Sequence, residues 1–149
     1  MNLSEHFTIA EASHSDYAKK HGIDNELPSI YYDNAALVAR HILEPIRERF
    51  GAFSPQSWYR GKSLNEAVGG SHKSEHCTAS AVDFEIPGHS NLEVALWIRD
   101  NLIYDQLILE NYHGSPTDGW VHISWTKGIN RQQNLRFNGK EYQKGIEDA

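Results

Sequence analysis

The sequence predicts an α+β fold, on three observations. Helical periodicity fills most of the first fifty residues, strict apolar/polar alternation marks short runs from residue 80 onward, and one capped helical segment separates those runs. The expected architecture is a small antiparallel sheet with N-terminal helices packed on it. At 149 residues and 39% apolar composition, residues 1–149 are expected to form a single domain around one core.

The elements follow in order. Ser4 precedes "HFTIAEASHSDYAKKHG", a short amphipathic helix with a break near Ser13; Lys19, Lys20 and His21 occupy its last turn and Gly22 the position just past its end. A second helix spans about Tyr31 to Phe50, with Ala35, Leu37, Val38, Ile42, Ile46 and Phe50 as its apolar stripe and Pro45 as a kink or restart. "PQSWYRG" reads as a short strand ending in a turn, and "SLNEAVGG" as one or two helical turns closed by glycines. In "SAVDFEI", Val82, Phe84 and Ile86 share one face and Ala81, Asp83 and Glu85 the other. "SNLEVALWIRDNL" is a helix behind a Ser/Asn cap. "DQLILE" and "GWVHISW" are strands around the turn-rich "NYHGSPTDG". The tail holds a hairpin at Asn138-Gly139 and then a polar, frayed end.

Charge and composition narrow the function. A formal charge of −6 with dispersed Lys and Arg argues against nucleic-acid partners. The opening "MNLSEHFTIAEAS" has Glu5 and His6 where a signal peptide needs a basic start, and no run reaches membrane-span length. The expectation is synthesis in the cytoplasm without a signal peptide, and no membrane insertion. A single cysteine, Cys77, forbids an internal disulfide, so stability must come from the core or from a metal. Nine histidines exceed the roughly three that a typical frequency of about 2% would give.

Two strands and a loop bring some of those histidines to one place. On "GWVHISW", Val121, Ile123 and Trp125 share one face and Trp120, His122 and Ser124 the other. With its apolar partners turned to the core, Asp83 points the opposite way, so Asp83 and His122 can meet on one side of a sheet. His76, in the loop entering the Asp83 strand, can fold back over them. Two imidazole nitrogens and one carboxylate oxygen around a fourth open position form the pattern of a catalytic zinc site.

The order of motifs extends this reading to a family. "SEHCTASAVDF" resembles the S-x-H-x-x-G-x-A-x-D motif of zinc peptidases of the D-alanyl-D-alanine carboxypeptidase type, a group with the Hedgehog/DD-peptidase fold that includes phage L-alanyl-D-glutamate endolysins. "SWYRGKSLNEAVGGS" is similar to the family's S-G-Y-R-x-x-x-x-N-x-x-V-G-G-S segment. "YDQLILE" and "GWVHISW" are similar to its D-Q-L-I-x-E and W-V-H-x-S segments, and "LSEHFTIAEASHS" and "LPSIYYDNAALVARHILEPIRERFG" to its N-terminal helices.

The resemblance implies that His76, Asp83 and His122 bind Zn²⁺, and that Arg60 holds a substrate carboxylate or a developing oxyanion. It implies Glu110 as general base. The position where several relatives carry an acid, three residues before the last His, is here Gly119; Asp118, one residue further from His122 in a loop that can bend it inward, is the second candidate. Ala79 and Trp58 replace two glycines of the family pattern. The implied protein is a monomeric peptidoglycan hydrolase, of carboxypeptidase or endopeptidase type, acting on stem peptides at the bacterial wall and phage- or prophage-encoded. The alternative is a non-catalytic zinc-containing binding module of the same fold. His72 either donates to an oxyanion or faces solvent, Ser74 fixes its loop, and Cys77 is a buried small residue rather than a nucleophile.

Overall fold

The computed structural model describes residues 1–147. The predicted N-terminal helix is two: α1 (Ile9–Ser13) and α2 (Asp16–Lys20). Thr8, not Ser4, opens α1, through a capping box in which its hydroxyl accepts from Glu11 N and the Glu11 carboxylate accepts from Thr8 N. Ser4 instead donates to Glu44 at 2.6 Å. Ser15 caps α2, and Gly22 takes its expected left-handed conformation (φ 65°) past the end.

A 3₁₀ turn (Ser29–Tyr31) leads into α3 (Tyr32–Val38), which passes through a wider π turn (Ala39–Leu43) into α4 (Glu44–Phe50). Pro45 does restart the helix: it sits in the first turn of α4, and the wide turn before it accommodates a residue with no N–H to donate. "PQSWYRG" forms no strand, because only Ser57 pairs, as an isolated bridge with Asp83. α5 (Lys62–Ala67) follows, then a 3₁₀ turn (Glu75–Thr78) that runs into β1 (Ala81–Phe84). After α6 (Asn91–Asn101), capped by the Ser90 hydroxyl on Glu93 N, come β2 (Gln106–Glu110), β3 (Trp120–Ser124), β4 (Gln133–Phe137) and β5 (Tyr142–Lys144).

The five strands form one sheet in the order β1-β3-β2-β4-β5. It is mixed, not antiparallel as expected, since β2 and β4 run parallel. Alternation along a strand dictates which side chains share a face but not which neighbour a strand takes. Here β3 already occupies one edge of β2, so β4 adds at the other. Val82, Phe84, Leu107, Leu109, Val121 and Ile123 form one face, all buried in a single core cluster with Ile42 and Ile46 of the long helix and with Leu92, Val94, Ala95 and Ile98 of α6. Burying each such aliphatic side chain favours the fold by about 1.5–3 kcal/mol. The tail is not frayed through Glu147: Ile146 is a core residue, and its N–H donates to Asn134 Oδ1. The rest of the predicted polar end lies outside the described residues.

Candidate metal centre

Register builds the centre. Asp83 pairs with His122, and His122 with Ile108, so the three share the sheet face opposite the core. The Glu75–Thr78 turn, capped by Ser74 Oγ accepting from His76 N, hangs His76 over that face. The ligating atoms of His76, Asp83 and His122 lie within 4.8 Å of one another. Asp83 is the hub, with Oδ1 2.8 Å from His122 Nδ1 and Oδ2 3.3 Å from His76 Nε2.

These residues fit a metal ion. His76 Nδ1 lies 2.6 Å from the carbonyl oxygen of Trp58, which can only accept, so Nδ1 carries the proton and Nε2 presents its lone pair. That Nε2 is buried and has no aligned hydrogen-bond partner in spite of the nearby Asp83 oxygen. Its 3.3 Å separation from Asp83 Oδ2 matches the edge of a tetrahedron with bonds of about 2.0 Å, a length of about 3.3 Å. Two imidazoles and a carboxylate are the donor set of a zinc site with one open position.

The electrostatics follow from burial and mutual contact. Burial keeps the His76 imidazole below its ordinary value, in the neutral form that ligation needs. Burial opposes ionisation of Asp83, but the His76 charge and the His122 bond prevail and hold its carboxyl far below the usual range. Burial pulls His122 down as well, yet the Asp83 bond and charge leave it raised.

A cavity of about 350 Å³ opens over the trio, lined also by Arg60, Lys73, Glu75, Glu110, Trp120 and Tyr142. Arg60 and Glu110 thus join the trio, as does Trp120. Burial pushes the Glu110 carboxyl up, and the Asp83 charge adds to it against the opposing charges of His122 and Arg60. Arg60 extends from the segment before the ligand loop, its Nη2 3.4 Å from Ser74 Oγ and its buried Nε without a partner.

Asp118 is elsewhere: its carboxylate accepts from His113 N at 2.8 Å and Ser115 N at 3.1 Å, tying its own loop. Gly119 explains why no acid stands there. It has φ 60°, and a Cβ at that position would come 1.6 Å from the Glu110 carbonyl oxygen. His72 lines a different cavity, with Tyr31, Tyr59, Lys62 and Cys77, so an oxyanion role for it is not supported by its place. Burial raises the Cys77 thiol, the reverse of what a nucleophile needs. The remaining histidines sit on helices, their ends and loops: His6 on Glu44, His41 stacked on Trp125, His89 on Glu93.

Among the cavity residues missed are Glu75, Lys73 and Tyr142. Glu75 lies beside Asp105, whose carboxylate is gripped by the Arg131 guanidinium and held at about 2. Lys73 carries no pattern, and Tyr142 belongs to the tail hairpin. The only signal for Tyr142 was an aromatic residue just after the Asn138-Gly139 turn.

No curated protein matches the chain at a significant level. The family model described as Peptidase M15 matches residues 5–124, a span that contains the His-Asp-His trio, Arg60 and Glu110. With four fifths of its length matched, the chain belongs to the peptidase M15 family.

Proposed function

We propose that the protein is a zinc peptidase that hydrolyses a peptide bond in the stem peptides of bacterial peptidoglycan, with D-alanyl-D-alanine or L-alanyl-D-glutamate as the bond cut. The observation that supports this most is the placement of a partly desolvated carboxylate, Glu110, in the same cavity as the His-Asp-His trio. Such an acid supplies the proton acceptor that hydrolysis needs.

His76, Asp83 and His122 would hold the ion. Bound there, zinc would supply Lewis acidity, polarising the scissile carbonyl and bringing the pKa of a water to about 7. Glu110, one row along the sheet face from His122 on the neighbouring strand, takes the proton of the attacking water and passes it to the leaving amine. Arg60 offers a guanidinium whose Nε has no partner among the described residues, and it binds a substrate carboxylate or the charge that develops on the substrate. Ile108, directly across from His122, gives the cavity an apolar floor that limits water around these charges.

The test is release of new amino groups from purified peptidoglycan by protein carrying zinc, by chelated protein, and after zinc is restored. Chelator-sensitive release that zinc restores is expected, and mass spectrometry of the products separates free D-alanine from a new stem-peptide N-terminus. A zinc-loaded protein that releases nothing from any wall type would favour the non-catalytic binding module.

A further inference from the structure

On the cavity face, Trp120, Glu110, Phe137 and Tyr142 lie side by side across β3, β2, β4 and β5. The Glu110/Trp120 and Phe137/Tyr142 pairings and the parallel β2/β4 register require it. We propose that Tyr142 is a substrate-contacting residue of this peptidase, its ring packing on the apolar side chains of the stem peptide beside the scissile bond. The proposal rests on the peptidase reading above.

One face of the ring is already committed. It stacks on Phe137 at 4.3 Å between centroids and 26° between planes. Yet Tyr142 is 60% exposed, and it lines the cavity over the trio. Phe137 fixes the ring's position without covering it, which lets an incoming chain gain apolar contact at little ordering cost. Burial and then the Glu110 charge push the Tyr142 phenol up.

Arg60 and Lys73 line the same cavity. An exposed aromatic ring together with two cations suits a peptide that presents both alanine methyls and carboxylates. Tyr142 also lies beyond residues 5–124, so this ring comes from a segment outside the matched family frame.

Steady-state hydrolysis of soluble muropeptides, and equilibrium binding of the same muropeptides to zinc-loaded Glu110→Gln protein, test the proposal together. In both backgrounds, Tyr142→Ala should raise KM and Kd about five- to tenfold with kcat changed less than about twofold, and Tyr142→Phe should restore most of the lost affinity. Zinc content and melting temperature report that the edge strand is intact. A Kd unaffected by Tyr142→Ala, or a Tyr142→Phe protein as weak as Tyr142→Ala, would overturn the proposal. Muropeptide binding without hydrolysis by the wild-type protein would overturn the peptidase reading instead, and the two Kd values would still decide the role of Tyr142. No muropeptide binding by any form would overturn both.

Discussion

Trp58 Nε1 donates a 3.0 Å hydrogen bond to the carbonyl oxygen of Ala79. These are the two positions at which the chain carries a side chain where the family motif has glycine, and they touch. Ala79 holds the left-handed conformation (φ 60°, ψ 24°) that ends the turn carrying His76, and Trp58 is fully buried beneath it. The same Trp58 offers its own carbonyl to His76 Nδ1. The indole thus clamps a strained alanine while the Trp58 backbone orients a candidate metal ligand.

That clamp predicts opposite effects of two substitutions. Ala79→Gly should leave stability unchanged or raise it by up to ~1 kcal/mol, since relief of a left-handed alanine outweighs the added freedom of the unfolded chain. Trp58→Phe should cost about 1–3 kcal/mol by orphaning the buried Ala79 carbonyl. Denaturant unfolding of the two variants measures both.

Gly119 should tolerate no side chain. A Cβ would meet the Glu110 carbonyl oxygen, so Gly119→Ala is expected to cost more than ~2 kcal/mol and to disturb the very strand that carries the proposed base. For the same reason Gly119→Glu should fail to rescue Glu110→Gln. A Gly119→Ala protein with an unchanged melting temperature would contradict the packing.

Glu110→Gln should lower kcat by a factor of about 10²–10⁴ with zinc retained. Because burial raises the Glu110 carboxyl, its basic form appears only above the ordinary glutamate range. In the metal-free protein its titration should therefore lie above about 4.3, the ordinary value, and should fall when zinc is added. Unchanged turnover in the variant would remove Glu110 from the base role.

Acid should weaken the fold in part through Asp105. Its carboxyl is held at about 2 by the Arg131 guanidinium, below an unfolded value of about 3.9. A depressed pKa contributes stability that is present above the unfolded value and is lost as pH falls toward the folded one. The loss should span about pH 4 to 2, and Asp105→Asn should flatten it. Unfolding curves collected across that range on the wild type and the variant supply the check.

The alternation of "SAVDFEI" and "GWVHISW" was enough to put Asp83 and His122 on one face, because period two leaves a strand only two choices and the apolar side must face the core. His76 followed from its place in the adjoining loop, and Glu110 from the motif that the chain resembles. Strand order was not legible. The parallel docking of β4 on β2, and with it the arrival of Tyr142 at the cavity, depends on which sheet edge is free in three dimensions. The grip of Arg131 on Asp105 was invisible for a similar reason, since the two charges are 26 residues apart and the D-Q-L-I-x-E resemblance that contains Asp105 does not reach Arg131. The failure of "PQSWYRG" as a strand has its cause in Trp58 and Tyr59, whose large side chains are both buried instead of alternating.

The central claim is that His76, Asp83 and His122 hold one zinc ion, and metal content by mass spectrometry on untagged protein tests it most directly. One zinc per chain is predicted for the wild type, with stoichiometric zinc lost in His76→Ala and in His122→Ala while both variants remain folded. A folded wild-type protein that takes up no zinc, or variants that keep a full equivalent, would contradict the account.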